Sequence, residues 1–149
     1  MDNVSIIPSS LSDIPQLLVF IERFYAIDRY PFNADEISIA LKEFILNPDR
    51  GTIWIVWEKD LPIGYIILAI VYSFEFGGKN AFVDELYLEK EFRGKGIGKK
   101  VMDFVAEEAK RMNIKALHLE VENNNVLAIE LYRKYNFKDH HRILMTRMV

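Results

Sequence analysis

Cysteine is absent from this 149-residue chain, and every thiol chemistry goes with it. There is no cysteine nucleophile, no cysteine-linked acyl-enzyme, no iron–sulfur cluster, no Cys-based zinc site and no disulfide scaffold. Glycine and proline are sparse, at seven and five residues, which excludes collagen-like and low-complexity segments. No apolar run approaches the roughly 18 residues of a membrane span. The longest candidate, Ile63 to Val71, is broken by Gly64 and has the length of one buried strand. The opening residues MDNVSIIPSS lack the basic and apolar regions of a signal peptide, so a cytoplasmic protein is expected. The basic excess typical of a nucleic-acid binder is also missing, because the formal net charge is -3. Neither nucleic acid nor a membrane is expected as a partner.

What remains is 50% hydrophobic, 13% aromatic and 28% charged, the composition of a single globular domain over residues 1–149 with an ordinary core. Periodicity places a short strand near Val4 to Ile7 and a helix introduced by Ser12 and Asp13, with Ile14, Leu17, Leu18, Ile21 and Tyr25 on its apolar face. A second helix follows the Tyr30-Pro31 turn, capped by Asn33 or Asp35 and stopped at Asn47-Pro48. Strands over Gly51 to Glu58, Ile63 to Tyr72 and Ala81 to Leu88, separated by turn residues, read as an antiparallel meander. A helix over about Ile97 to Met112 follows, then a strand Ala116 to Val121, a helix from about Asn125 to Tyr135 and a last strand near Arg142 to Met148. The order describes an α/β (α+β) domain with a mixed sheet and helices packed on it.

The segment LYLEKEFRGKGIG carries the strongest chemical signal. A strand ends, Arg93 appears, Gly94, Gly96 and Gly98 follow, and a helix begins at once. Glycines allow a tight turn that brings N–H groups to a ligand, and a helix N-terminus adds partial positive charge and unpaired donors. Residues 90 to 100 hold five cationic side chains against one acidic, so the expected ligand is a phosphate or pyrophosphate. The spacing fits neither a P-loop, which needs GK followed by Ser or Thr, nor the GxGxxG dinucleotide fingerprint.

RGKGIG resembles the signature of the GNAT superfamily of acyl-CoA-dependent N-acetyltransferases: Arg or Gln, two residues, Gly, one residue, then Gly or Ala. Arg93, Gly96 and Gly98 fill its fixed positions. Downstream, NNNVLAIELYRKYNF is similar to the family's N-x-x-A-x-x-LY-x-x-x-GF segment, with Asn136 where Gly is usual. Asn tolerates the left-handed conformation of a helix C-cap. The resemblance implies a GNAT fold: a mostly antiparallel mixed sheet, splayed in the middle, with helices on both faces.

It also implies an acetyl-CoA cosubstrate and no metal. The pyrophosphate would rest on backbone N–H groups of Gly94, Lys95, Gly96, Ile97 and Gly98, helped by Arg93. The backbone of Leu86, Tyr87 and Leu88 would hold the pantetheine arm and thioester, and Asn125 matches a cofactor-contacting asparagine. Tyr132 matches the family's frequent general acid. An alkylamine acceptor must lose a proton before attack; Glu85, beside the expected thioester, is the first candidate base and Glu120 the second. Glu75, in the SFEFGG hairpin, and Tyr25, on the first helix, are candidate acceptor contacts. His140-His141 carries no metal reading, since adjacent strand residues face opposite ways.

The expected activity is acetyl transfer from acetyl-CoA to a small-molecule or peptide amine by direct attack in a ternary complex. Two other classes stay open: a non-catalytic acyl-CoA-binding regulator, and an interaction module that retains the fold. The resemblance also allows a homodimer. Charge is segregated along the chain: residues 1–89 carry 6 basic and 14 acidic side chains, residues 90–149 carry 13 and 8. A basic half around the pyrophosphate loop and an acidic half elsewhere suit an anionic cofactor and a cationic amine.

Overall fold

A computed structural model describes residues 3–149. They form two compact units, the first running to Leu119 and the second comprising Glu120–Val149. The first unit contains β1 (Val4–Pro8), α1 (Ile14–Ile27), α2 (Ala34–Ile45), β2 (Gly51–Glu58), β3 (Leu61–Ser73), β4 (Gly78–Leu88), α3 (Ile97–Arg111) and β5 (Leu117–His118). The sheet order is β1-β2-β3-β4-β5. The first four strands form an antiparallel meander, and β5 joins β4 in parallel. β2, β3 and β4 follow one another through short turns, which is why the turn residues marked them so closely, whereas α1 and α2 separate β1 from β2 in sequence.

Side-chain alternation divides the sheet into two buried faces. On one, Ile53, Ile55, Tyr65, Ile67 and Tyr87 pack beneath Leu17, Phe20 and Ile21 of α1 and Leu41 of α2. Leu17 and Phe20 are fully buried, each stabilising the fold by about 1.5–3 kcal/mol. On the other face Trp54 meets Phe104 of α3 edge-on, with ring centroids 5.6 Å apart. Helices therefore lie on both faces, as the GNAT pattern implies.

The helix ends show how a chain with few glycines turns. Asn33 caps α2, its side chain accepting from the Glu36 N–H, whereas α1 is entered through a short turn in which the Asp13 carboxylate accepts from the Ser10 N–H, so Ser10 rather than Ser12 begins it. At their C-termini α1 and α3 close on left-handed residues that are not glycine, Arg29 (φ 57) and Asn113 (φ 58). The Tyr30 N–H donates to the Tyr25 carbonyl and the Ile114 N–H to that of Ala109, the longer bond of a Schellman cap.

In the second unit α4 (Val126–Lys134) ends the same way on Asn136 (φ 65). The Phe137 N–H donates to the Tyr132 carbonyl and the Asn136 N–H to that of Arg133. Asn136 thus does the work of the usual glycine.

Two expected strands are corrected. The last strand over Arg142 to Met148 does not form: among the described residues no ladder includes it, and Ile143 and Met145 are each 87% exposed. Its apolar run suggested a strand, but a strand exists only where a partner edge accepts its backbone bonds. The strand expected over Ala116 to Val121 shrinks to Leu117–His118, paired with Ala81 and Phe82. That ladder stops just before an irregularity in β4, where Ile67 faces Glu85 but Leu68 faces Val83, leaving Asp84 as an extra residue. The bulge changes the phase of the strand. Val83 and Glu85, which strict alternation would put on one face, point to opposite faces.

Gly64 of β3 supports this junction. A Cβ there would stand 2.1 Å from the Tyr87 carbonyl oxygen and 3.0 Å from the Leu88 Cα, both backbone atoms that cannot yield. We expect Gly64→Ala to destabilise the chain by about 3 kcal/mol through overpacking. Urea unfolding checks this: the midpoint should fall with the slope unchanged, and an unaltered midpoint would show that β3 and β4 can separate freely.

Candidate active site

Glu85 lies on the β4 face covered by α1, brought there by the bulge. One carboxylate oxygen, Oε1, accepts a bond of 2.6 Å from the Tyr25 phenol of α1, and the other, Oε2, accepts one of 2.9 Å from the Tyr65 phenol of β3. Aromatic rings enclose the group. Tyr65 stacks on Phe20 at 6.2 Å and meets Phe24 edge-on, while Tyr30 and Phe32 set their edges against Tyr25. Burial pushes the Glu85 carboxyl above the usual carboxylate range, the two phenol bonds pull it back, and the neighbouring Asp84 adds a smaller upward push. Burial, together with the Glu85 charge, holds both phenols above their ordinary value, so they remain donors.

The structure therefore joins Tyr25 to Glu85, two residues that the sequence placed separately. Tyr65 was missed. A signal existed: a hydroxyl within the apolar run Ile63 to Val71 needs a polar partner once that strand is buried.

At the end of the same strand, Leu86 is half-buried and Tyr87 and Leu88 are buried. Beyond Phe82, the β5 side of β4 has no strand beside it among the described residues. Arg93 turns back onto this end: its Nε donates to the Leu88 carbonyl at 2.7 Å, and its guanidinium sits 5.4 Å from the Tyr87 ring centroid. Tyr87 donates at 2.9 Å to Glu89, which is paired with Arg23 of α1.

The loop then rises through Gly94 (φ 73) and Gly96 (φ 79), both left-handed, with open space where a side chain would begin. Gly96 caps α3 without any side-chain bond to the helix. The Lys100 N–H donates to the Gly96 carbonyl, and the N–H groups of Ile97 and Gly98, in the first turn, have no residue one helical turn before them within α3 to donate to. Gly98 has ordinary backbone, and a Cβ there would meet Leu88 at van der Waals distance, 3.9 Å. Lys95 folds over the Phe92 ring, 5.3 Å from its centroid. An uncapped helix start behind small residues is an arrangement that accepts a phosphate group.

The second unit carries Glu120, Asn125 and Tyr132. Tyr132 is held at the C-terminal turn of α4, its ring 5.9 Å from that of Phe137, and burial pushes its phenol above the ordinary value. The Asn125 side chain caps α4, accepting from the Ala128 N–H at 3.3 Å. Glu120 is exposed, as is Glu75 in the turn between β3 and β4. His118 of β5 lies between the rings of Phe76 and Phe82. Among the described residues no group of three acidic or histidine side chains is arranged to hold a metal, and no helix is long and apolar enough to cross a membrane.

Comparison with known proteins places this geometry. The thialysine N-epsilon-acetyltransferase of Sus scrofa is 32% identical over 77 residues, 52% of this chain and 45% of that protein. The spermine/spermidine N(1)-acetyltransferase of Bacillus subtilis is 27% identical over 85 residues, 55% of each. The chain spans about half the length of these relatives. Among solved structures, an integron cassette protein from a salt-marsh metagenome superposes with a TM-score of 0.85 at 26% identity, covering 97% of this chain and 90% of that one. A protein from Clostridium acetobutylicum, named a predicted acetyltransferase and solved with acetyl-CoA, has a TM-score of 0.82 at 22% identity, covering 97% and 96%, and shares the fold. The family model described as "Acetyltransferase (GNAT) family" matches residues 18–137, from within α1 past the end of α4. The chain belongs to the GNAT family of acetyltransferases.

Proposed function

We propose that this chain is an N-acetyltransferase that moves an acetyl group from acetyl-CoA to a primary amine on a small cationic molecule, by direct attack in a ternary complex. The observation that carries this reading is the enclosed carboxylate of Glu85 on the strand whose end leads into the uncapped glycine loop. The relatives named for thialysine and spermine act on alkylamines, which supports an acceptor of that class. An acidic side chain at the acceptor end and the acidic bias of residues 1–89 favour a cation there.

The loop suits acetyl-CoA on its own geometry. The N–H groups of Ile97 and Gly98, at the start of α3 and reached over Gly94 and Gly96 with no side chain in the way, would hold the pyrophosphate. The backbone of Leu86, Tyr87 and Leu88, on the side of β4 beyond its short ladder with β5, would bond the pantetheine arm. Bound acetyl-CoA supplies an acyl group activated as a thioester.

Proton handling falls to the protein's side chains. An alkylammonium near pKa 10.4 is neutral in well under about 1% of molecules at pH 7, so a base must take one proton before the nitrogen attacks. Glu85, raised by burial yet kept ionisable by two donors, has the character of that base. Glu120, by contrast, is exposed. The departing thiolate needs a donor, assigned to Tyr132. A phenol near 10 giving its proton outright to a thiolate near 8.5 is uphill by about 2 kcal/mol, and burial raises the Tyr132 phenol further. Tyr132 therefore acts by hydrogen bonding rather than by complete transfer.

With spermine or thialysine as acceptor and thiol release as the readout, Glu85→Gln should lower kcat/KM by about 10²–10⁴ at pH 7. Retention of wild-type kcat/KM would remove Glu85 as the base. Tyr132→Phe, which keeps the ring packing, should lower kcat at least tenfold; a kcat within about twofold of wild type, with product release shown not to limit, removes the acid role. Gly96→Ala forces a side chain into left-handed backbone at about 1–2 kcal/mol and should weaken acetyl-CoA binding by about tenfold in calorimetric titration. Unchanged affinity would move the pyrophosphate away from this loop.

A further inference from the structure

The two phenols on Glu85 exceed what a proton acceptor needs. To take a proton, a carboxylate requires one accessible lone pair, and solvent supplies the remaining bonds of an exposed one. Here the donors come from separate elements: α1 contributes Tyr25 at 2.6 Å and β3 contributes Tyr65 at 2.9 Å, each on its own oxygen. Neither ring can swing aside without disturbing its neighbours. Tyr65 is completely buried and stacked nearly parallel to Phe20, at an interplanar angle of 16°. Tyr25 is wedged by Phe24, Tyr30 and Phe32 at centroid distances of 6.1, 6.3 and 6.4 Å. The donors are thus fixed before any acceptor arrives.

We propose that Tyr25 and Tyr65 are positioning residues for Glu85, each phenol fixing one carboxylate oxygen so that the second lone pair of each oxygen faces the acceptor amine. The role in transfer rests on the reading of Glu85 as the base; the clamp itself does not. In the step it serves, one N–H bond of the acceptor ammonium breaks and one O–H bond forms on Glu85, while both phenols keep their protons. Removing a donor leaves the carboxylate as buried as before but with one stabilising bond fewer, which favours its protonated form. The titratable groups acting on Glu85 are Tyr25 from α1, Tyr65 from β3 and Asp84 from its own strand. Loss of a phenol removes a lowering influence and leaves the raising ones, so the Glu85 midpoint must move upward.

The test uses the whole chain and two readouts. Carbon-13 NMR titration of the Glu85 carboxyl, without ligand, follows its midpoint directly in wild type, Tyr25→Phe and Tyr65→Phe. The acid limb of kcat/KM, with spermine and acetyl-CoA as probes, follows the same group in turnover. We expect each substitution to raise the NMR midpoint by about one pH unit, and the acid limb to move with it. A midpoint that stays within about 0.3 unit of wild type in both variants overturns the clamp, since rings that merely pack leave the carboxyl where it was. If the midpoint rises but the acid limb stays, the clamp stands and the base reading of Glu85 falls. If Tyr65→Phe does not fold, Tyr25→Phe, at the less buried donor, decides the outcome alone.

Discussion

A carboxylate removed from water beneath a layer of aromatic rings must find hydrogen-bond donors or give up its charge. Much of the first unit is arranged around that requirement at Glu85. The β4 bulge turns the residue toward α1, β3 supplies Tyr65 from inside the sheet, and α1 runs far enough to bring Tyr25 over the second oxygen. The same aromatic layer buries Phe20, Tyr65 and Tyr87 as core, so the packing that stabilises the helix–sheet interface also encloses the charged group. Site and core share their side chains, and neither can be altered alone.

β4 links this carboxylate to the glycine loop that opens α3. Its last carbonyl, at Leu88, is held by Arg93, and the chain then passes through left-handed glycines into the start of α3, where no side chain caps the helix. Under the proposed function, the opposite electrostatic demands of a cation near Glu85 and an anion near Gly96 would be kept apart along one strand rather than balanced at one point. The paired Arg23 and Glu89 and the Tyr87 phenol tie that strand end back to α1.

Local features were legible in the sequence because their causes are local. The bounds of β2 coincide with the expectation, and the α2 cap at Asn33 and the start of α3 at Ile97 follow from turn and capping residues that act within a few positions. Asn136 before Phe137 announced a left-handed helix end, and the structure has one. Features that depend on distant partners were not legible. Nothing in the spacing showed that Tyr25 and Tyr65 converge on Glu85, because they meet only after α1 folds onto the meander. Asp84 gave no sign of being an extra residue in its strand. Residues 142–148 read as a strand because apolar patterning records hydrophobicity and not the presence of a neighbouring edge. Asn125 shows a third kind of limit: the motif located it correctly before a helix, and the structure uses its side chain to cap that helix.

The scarcity of glycine has a final consequence in the helix ends. Arg29, Asn113 and Asn136 each occupy left-handed backbone where a residue without a side chain would rest more easily, and each stores about 1 kcal/mol of conformational strain. All three positions are exposed. The chain therefore keeps a reserve of unrealised stability at these helix ends, which evolution or design could draw on without opening the core.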